Sequence, residues 1–307
     1  MSVRRVSASG PDALALATTL IQRLRLADPV AGPWDAADVQ WWSRKARPSD
    51  DIEQVFWSDG HGPVAGVLLT SWGEDLWQCD PISVPGVVAP ELETLWTAAS
   101  EQISAHAAGR VQVPVAGGDA ALRVLVEAHG LVANEESSTA WMDAAARHPV
   151  LAPTAGYVLT DRTRRRGTSH PMRHRNGDAV QERLGRCSLY DPELDLAVET
   201  VDGQVAGYSL FWFDPVTKVG LVEPVRVEDA HARRGLARAM LTAGIDRLAH
   251  RGAERIKIGF ESEAAAALYR AVGFRPTSRD TWYEARPCDG RVEFTCFRPG
   301  SPEGTRA

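Results

Sequence analysis

The chain has 307 residues, which is more than one hydrophobic core usually organises and therefore predicts two domains. Hydrophobic residues make up 44% and charged residues 24% of the sequence, a composition that is typical of globular proteins and excludes a disordered chain. The formal net charge of -6 argues against nucleic acid as the main partner, because binding to a phosphate backbone needs a basic surface.

Export, membrane insertion and metal binding are not indicated either. The N-terminal segment has no long apolar core, and no run approaches the roughly 18 apolar residues that a membrane-spanning helix needs. We therefore expect a cytoplasmic protein without a membrane partner. The four cysteines lack CxxC spacing and neighbouring histidine pairs, so we expect no metal site and no disulfide framework: Cys79, Cys187, Cys288 and Cys296.

The first half of the chain combines predicted helices with a β-hairpin. Hydrophobic periodicity predicts an amphipathic helix over residues 12–26 and a second helix over 35–45. Two β-rich runs flank a turn and predict the hairpin, at residues 54–57 and 64–72. The later patterns predict a short strand, a helix, a strand and a helix, at residues 82–84, 90–107, 110–115 and 120–128.

A linker and an internal repeat divide the sequence. Two prolines and a glycine within residues 149–156 predict a linker between a first domain, 1–148, and a second, 157–307. GPVAGVLLTSW beginning at Gly62 resembles GQVAGYSLFWF beginning at Gly203, and Gly130 matches Gly273 at a similar interval. These matches predict a duplication, although the similarity of hairpins and helix ends in general is the alternative.

In the second half, a strand leads directly into a helix through a glycine-containing turn. The predicted order is a hairpin, a strand, this helix, a further strand and a last helix, at residues 196–213, 219–227, 236–249, 255–260 and around 265–269. Unpaired N–H groups at a helix N-terminus favour an anion, and Gly235 lets a phosphate approach closely. Small Ala237 and three arginines, Arg233, Arg234 and Arg238, fit such a phosphate site. The alternative is a helix that begins with glycine and arginine for no functional reason.

The two motifs of this half resemble those of the GNAT N-acetyltransferase superfamily. ARRGLA, from Ala232 to Ala237, is similar to the family's Q/R-x-x-G-x-G/A, and SEAAAALYRAVGF, from Ser262 to Phe274, is similar to N-x-x-A-x-x-L-Y-x-x-x-G-F. The departures are Ala232 at the Gln/Arg position and Ser262 at the Asn position. The resemblance covers about residues 157–282. It implies an α/β (α+β) fold of two tandem GNAT-like domains, each a mixed, largely antiparallel twisted sheet flanked by helices.

The resemblance also implies a co-substrate, acetyl-CoA, and roles for individual residues. Tyr269 takes the position of the general acid beside the CoA sulfur. The implied acetyl-CoA-binding residues are Val225, Arg226, Val227, Arg233, Arg234, Gly235, Leu236, Ala237, Arg238 and Ser262. No metal is implied. For Tyr269, the alternative is an ordinary half-buried core tyrosine.

Glu223 is the candidate general base, acting directly or through water. The two-residue period of a strand would place Glu223, Val225 and Val227 on one face, so that Glu223 points into the acceptor cleft. A solvated or ion-paired glutamate is the alternative. The arginine-dense segment 157–177 predicts a site for an acidic group of the substrate or for the 3′-phosphate of CoA, and the alternative there is a solvated basic face.

The first half lacks these motifs. The repeat places Val126 opposite Tyr269, and the segment equivalent to the phosphate turn contains Pro90, Glu91 and Glu93. Proline has no N–H and the glutamates repel phosphate, so we expect a degenerate copy with a structural role, covering the second domain or shaping its acceptor cleft.

The sequence as a whole predicts an acyl-CoA-dependent N-acyltransferase. We expect it to transfer an acetyl group to a primary amine of a small molecule by direct transfer in a ternary complex. The alternatives are a non-catalytic acyl-CoA-binding regulatory or scaffolding protein, and an amine-sensing or partner-binding protein that no longer binds CoA. A homodimer is compatible with the sequence.

Overall fold

The structure is a computed structural model that describes residues 3–73 and 75–285. Cys288 and Cys296 lie outside the described residues. In the described part, eight α-helices flank one mixed sheet of twelve strands, which confirms the predicted fold class. None of the helices in this part is both long and apolar enough to cross a bilayer.

The two halves contain similar series of elements. The first half comprises β1 (Arg4–Ala8), α1 (Gly10–Ala27), α2 (Ala36–Trp42), β2 (Gln54–Asp59), β3 (Gly62–Ser71), β4 (Leu76–Ser83), α3 (Leu92–His106), β5 (Arg110–Ala116), α4 (Ala120–Ala128) and β6 (Val132–Asp143). The second comprises β7 (Tyr157–Asp161), α5 (Arg173–Asn176), α6 (Val180–Gly185), β8 (Asp195–Thr200), β9 (Val205–Asp214), β10 (Val219–Val227), α7 (Leu236–His250), β11 (Arg255–Phe260), α8 (Glu263–Arg270) and β12 (Arg275–Ala285).

Corresponding elements recur at a constant interval. The starts of β4 and β10 (76 and 219), of α4 and α8 (120 and 263) and of β6 and β12 (132 and 275) all differ by 143 residues. This interval equals the separation of Gly130 and Gly273 in the sequence. A repeated fold therefore underlies the sequence echoes.

The two halves exchange strands at the centre of the sheet. The strand order is β1-β2-β3-β4-β5-β12-β6-β11-β10-β9-β8-β7. Strand β12 of the second half lies between β5 and β6, and β6 of the first half lies between β12 and β11. The two predicted sheets are thus joined into one, and each half depends on a strand of the other.

Two pairs of adjacent strands are parallel, and each pair separates part of the way along. Strand β10 pairs with β11 only from Val219 to Val222, and β4 pairs with β5 only from Leu76 to Gln78. The other pairs among the strands that the structure describes are antiparallel. Where the parallel ladders end, the edges of β10 and β4 are left without a neighbouring strand on that side. Each half therefore contains an opening in the sheet at the C-terminal end of one strand.

Helix α1 shows how the sequence covers one face of this sheet. Pro11 occupies the first turn, where its missing N–H costs nothing, and buried residues recur at helical spacing. Leu20 and Ile21 are completely buried, and they join a core cluster that also contains Trp212 of β9 and Leu184 of α6. Burial of each such side chain stabilises the fold by about 1.5–3 kcal/mol. One hydrophobic core is thus shared by both halves.

Candidate active site

Free backbone groups line the opening between β10 and β11. The N–H of Glu228 donates to the carbonyl of Ala206 on β9 at 2.9 Å. Since hydrogen-bonding direction alternates along a strand, Arg226 also faces β9, whereas the N–H and C=O groups of Val225 and Val227 face the opening. These groups can bind an extended ligand that takes the place of a neighbouring strand.

The N-terminus of α7 has the geometry of an anion site. Gly235 adopts φ 74°, in the left-handed region that glycine favours, and directly precedes the helix. The first hydrogen bond of the helix runs from Ala239 to the carbonyl of Gly235 at 3.0 Å, so the N–H groups of Leu236, Ala237 and Arg238 have no intrahelical acceptor. A Cβ at Gly235 would meet no atom within 4 Å, which shows that space in front of the turn is open.

Three arginines surround this turn. Arg233, Arg234 and Arg238 are exposed, and none forms an ion pair with any residue that the structure describes. The predicted linker packs beside them, because Thr154 donates to the carbonyl of Arg234 at 2.7 Å. The turn therefore combines an oriented helix dipole with positive charge that is not neutralised by the protein.

Tyr269 lies on α8, which begins at a defined cap. Ser262 accepts a hydrogen bond from the N–H of Ala265 at 3.2 Å, so its oxygen caps the helix. The Tyr269 ring packs edge-on against Phe260 and Phe274, with centroids 6.3 and 6.2 Å apart. Burial raises the pKa of Tyr269 to about 12, with a smaller contribution from the nearby charge of Glu223. The phenol thus carries its proton at neutral pH, as a general acid must.

The prediction that Glu223 shares a face with Val225 is wrong. A shift of register between Val222 and Val225 interrupts the alternation of β10, as a β-bulge does. Val225 consequently packs into the core under α7, whereas Glu223 lies on the other face of the sheet, towards α2. Two-residue periodicity could not show this, because it assumes an uninterrupted strand.

Residues of both halves surround Glu223. The Trp212 indole donates to its carbonyl at 3.0 Å, and the Trp41 side chain of α2 forms a hydrogen bond with its carboxylate. Burial raises the pKa of Glu223 to about 7 and Asp38 adds to the effect, whereas Arg44, the Trp41 hydrogen bond and Lys257 act in the opposite direction. A carboxyl group with this pKa is suited to accept a proton near neutral pH.

The first half contains an acid at the equivalent position. Asp80-Pro81 on β4 precedes Glu223-Pro224 on β10 by 143 residues. The Trp34 indole and the Gln78 amide each donate to Asp80 at 2.7 Å, and burial raises its pKa to about 7. Asp80 lines a cavity of about 230 Å³ between β4 and β5. The first half therefore retains the opening and the acid.

Most of the arginines described in segment 157–177 form hydrogen bonds or ion pairs with other groups of the protein. Arg162 donates to the carbonyl of Thr168 at 2.6 Å, Arg165 pairs with Glu199 at 2.6 Å, and Arg173 pairs with Asp178. These contacts favour a structural role for the three arginines. Arg175 differs, because it pairs with Glu228 at 3.2 Å and also interacts with Tyr208 on the face that carries Glu223.

Sequence reasoning missed Trp41 and Arg44 as residues of this site. They lie in and directly after α2, more than 170 positions before Glu223, and only the joined halves bring them together. A larger cavity, of about 570 Å³, lies between α1, α2 and the Arg183 region of α6, and neither Glu223 nor Tyr269 lines it. The described residues contain no group of three or more His, Cys, Asp or Glu side chains suited to a metal.

Comparisons with known proteins identify related sequences. A sequence model described as the acetyltransferase (GNAT) family matches residues 164–274. Mycothiol acetyltransferases of Clavibacter michiganensis subsp. michiganensis and Clavibacter sepedonicus are each 34% identical over 119 residues. Both alignments cover 38% of this chain and 38% of the relative, so the chain matches well under half the length of these curated relatives.

Solved structures with the same fold span nearly the whole chain. A tandem GNAT protein from the clavulanic acid biosynthesis pathway matches with a TM-score of 0.67 and 17% identity, covering 94% of this chain and 100% of that protein. A GCN5-related N-acetyltransferase from Sphaerobacter thermophilus matches with a TM-score of 0.57 and 19% identity, covering 93% and 96%. At such identities the likeness shows a shared fold.

Proposed function

We propose that the protein transfers an acetyl group from acetyl-CoA to a primary amine of a small molecule, on the basis of the match of residues 164–274 to the acetyltransferase (GNAT) family model. The observation that carries the proposal is the meeting of three features at one opening. These are the free amides at the start of α7, the free edge of β10, and Tyr269, whose pKa is raised by burial and by the charge of Glu223.

The proposed binding of acetyl-CoA uses backbone groups more than side chains. The pyrophosphate accepts hydrogen bonds from the N–H groups of Leu236, Ala237 and Arg238, with Arg233 and Arg234 adding charge. The rest of the co-substrate extends along the edge of β10, where Val225 and Val227 offer hydrogen bonds. Ser262, whose oxygen already caps α8, keeps a hydroxyl hydrogen to donate.

The proposed chemistry is a direct transfer. Glu223 accepts a proton from the ammonium form of the acceptor, directly or through water, and the neutral amine attacks the thioester carbon. A C–N bond forms, the C–S bond breaks, and the thiolate takes the proton of Tyr269. The second proton that the acylated nitrogen releases returns through water to the Tyr269 phenolate, so that the products are a neutral amide and the free thiol of CoA. A β10 backbone N–H at Val225 or Val227 stabilises the oxyanion of the intermediate.

Three further elements belong to the proposal. The first half, residues 1–148, is a degenerate GNAT copy joined by residues 149–156 to the catalytic second half, 157–307. The place of action is the cytoplasm. The acceptor is a small molecule, which agrees with the printed name of the mycothiol acetyltransferases that the chain resembles over 119 residues.

A screen for acetyl transfer tests the proposal. Release of free thiol from acetyl-CoA is measured with amino acids, polyamines, aminosugars and peptide N-termini as acceptors. We expect at least one amine to be acetylated, and we expect Tyr269→Phe to lower turnover by on the order of 10²-fold while acetyl-CoA still binds. Tyr283→Phe is the matched control, because the Tyr283 hydroxyl donates to Glu127 in the first half, at 2.9 Å.

Two results would contradict the proposal. If Tyr269→Phe turns over at the parent rate with acyl transfer limiting, the acid assignment is wrong. If acetyl-CoA binds but no amine is acetylated, the non-catalytic acyl-CoA-binding protein becomes the better interpretation.

A further inference from the structure

We propose that the first half completes the acceptor site through α2, and that Arg44, directly after this helix, selects amines that carry a carboxylate. The inference rests on the proposed acetyl transfer and names the substrate class of that site. It assigns the first half a part in substrate recognition as well as in folding.

Helix α2 reaches the proposed base directly. The Trp41 ring packs edge-on against Trp212 of β9 with centroids 6.4 Å apart, and Trp212 donates to the carbonyl of Glu223 at 3.0 Å. The Trp41 side chain also forms a hydrogen bond with the Glu223 carboxylate. The end of α2 therefore lies beside the point where the acceptor nitrogen must be deprotonated.

Arg44 is held in a fixed position at this end of α2. Its guanidinium carbon lies 3.6 Å from the centroid of the Trp41 ring. Its Nε donates to the side-chain oxygen of Asn176 at 2.8 Å, and Nη1 donates to the carbonyl of Trp41 at 3.0 Å. A stacked guanidinium with two nitrogens already bonded is preorganised, so little entropy is lost when it binds a ligand.

The positive charge of Arg44 is not neutralised by an ion pair within the described residues. Arg44 is partly buried and forms no ion pair with a carboxylate in residues 3–73 and 75–285. The negative group that most affects it is Glu223, which is itself only partly ionised near neutral pH. Burial lowers the pKa of Arg44 to about 10, so the side chain stays cationic under these conditions. A partly buried cation of this kind favours an anionic ligand.

A second arginine strengthens the positive potential on this face. Arg226 of β10 lies opposite Tyr208, and its buried Nε has no hydrogen-bond partner. Tyr208 interacts with Arg175, Glu228 and Arg226, and it also influences Arg44. Three arginines, Arg44, Arg175 and Arg226, thus interact with Tyr208 on this face, together with one carboxylate, that of Glu228. An acceptor whose amine lies at Glu223 and whose carboxylate lies at Arg44 satisfies both charges.

Matched pairs of amines test the inference. Thiol release from acetyl-CoA is measured with L-lysine against cadaverine and with L-tryptophan against tryptamine, which differ by one carboxylate. We expect the parent to favour the amino acid by at least about tenfold in kcat/KM, a difference typical of one charged hydrogen-bonded contact. Arg44→Met, which retains packing on Trp41, should reduce that preference to near unity, mainly through KM for the amino acid.

Arg47→Met is the matched control. Arg47 also lies over a tryptophan, with its guanidinium carbon 4.1 Å from the Trp72 ring centroid, and also donates to a backbone carbonyl of α2, that of Trp42 at 3.0 Å. Unlike Arg44, Arg47 lines the larger cavity between α1, α2 and the Arg183 region of α6. The charge of Arg47 also contributes to lowering the pKa of Arg44, but Arg44 is cationic near neutral pH with or without it, so we expect Arg47→Met to leave the preference unchanged. Arg44→Lys, which keeps the charge, should retain part of it.

The outcomes separate this inference from the proposed function. If amines are acetylated but the parent does not favour the carboxylate, or if Arg44→Met and Arg47→Met affect both members of a pair equally, the role of Arg44 is refuted and acetyl transfer stands. If no amine is acetylated while acetyl-CoA binds, acetyl transfer falls and the role of Arg44 falls with it.

Discussion

Glu223 and Asp80 are equivalent acids in two different environments. Each precedes a proline near the end of a strand, each accepts a hydrogen bond from a tryptophan of the first half, and burial raises the pKa of each to about 7. In the second half, which contains Glu223, the motif position is occupied by Tyr269. In the first half, which contains Asp80, the repeat places the buried Val126 at the equivalent position. The shared pKa therefore does not single out one acid as the base, and the effect of the Glu223 charge on the pKa of Tyr269, the proposed acid, favours Glu223.

The pH dependence of turnover should distinguish the two acids. A base with a pKa of about 7 is protonated and inactive below that pH, so kcat/KM should fall as pH decreases through 7. Glu223→Gln should lower activity most near neutral pH, and the deficit should shrink at high pH, where more of the amine is already neutral. A pH–rate profile of each variant measures this.

Two further variants test whether Glu223, and not Asp80, sets the pH dependence of turnover. Asp80→Asn removes an acid of similar pKa from the other opening and should leave the profile unchanged. Trp41→Phe removes a hydrogen bond that favours the ionised form of Glu223, so the acidic limb should move to higher pH. A profile that responds to Asp80→Asn and not to Glu223→Gln would reverse the assignment.

Local motifs made some residues of the site predictable. Gly235 and Tyr269 lie in short sequence motifs, and the structure places Gly235 at the N-cap of α7 and Tyr269 on α8. The orientation of Glu223 depended on a bulge that the sequence does not mark. The position of Trp41 and Arg44 near Glu223 was beyond sequence reasoning, since it comes from packing between distant segments.

At the scale of elements, buried charges connect the two halves. Lys257 on β11 is almost fully buried and lies 3.0 Å from Asp35 and 2.9 Å from Asp38, which cap and begin α2. It also donates to the carbonyl of Pro33 at 2.6 Å. Asp35 in turn pairs with Arg25 at 2.9 Å. These contacts attach the start of α2, and with it Trp41, to the strand beside the opening.

Removal of one member of this cluster should be costly. Lys257→Met leaves Asp38 buried without its cation, and we expect the free energy of unfolding to fall by about 3–5 kcal/mol. The exposed pair of Lys218 and Glu254, at 2.6 Å, offers the control, because Lys218→Met should cost less than about 1 kcal/mol. Urea unfolding followed by tryptophan fluorescence measures both. Equal losses of unfolding free energy in the two variants would show that the buried cluster stabilises the fold no more than the exposed pair does.

The elements themselves were unevenly predictable. Strand β11 and helix α4 have the expected bounds, because each shows clear local periodicity. Strands β6 and β12 were missed, since their first five residues are all exposed and show no alternation of buried and exposed positions. Both are stabilised by pairing with strands of the other half, and such long-range pairing leaves little local signal.

The part of the chain that the structure describes contains two openings in the sheet, and the proposed acetyl-CoA-binding groups lie at one of them. In the second half, the opening of the sheet faces a helix start with a glycine turn and three exposed arginines. In the first half, α3 begins after Pro90 with Glu91 at the cap and Glu93 in the first turn. A carboxylate there occupies the favourable end of the helix dipole and repels phosphate. The two halves thus contain similar clefts with different electrostatics.

This asymmetry predicts one acetyl-CoA for each chain. Gly235→Glu places a side chain and a negative charge in front of α7, so binding measured by calorimetry should weaken strongly while the melting temperature changes little. Gly86→Glu is the matched control in the first half: Gly86 has φ 75° against 74° for Gly235, and a Cβ at either position meets no atom within 4 Å. Both variants therefore carry the same backbone strain and the same added charge, and only the first should lose the ligand. A stoichiometry near two in the parent, reduced to one by Gly86→Glu, would instead mean that the first half binds acetyl-CoA despite its glutamates.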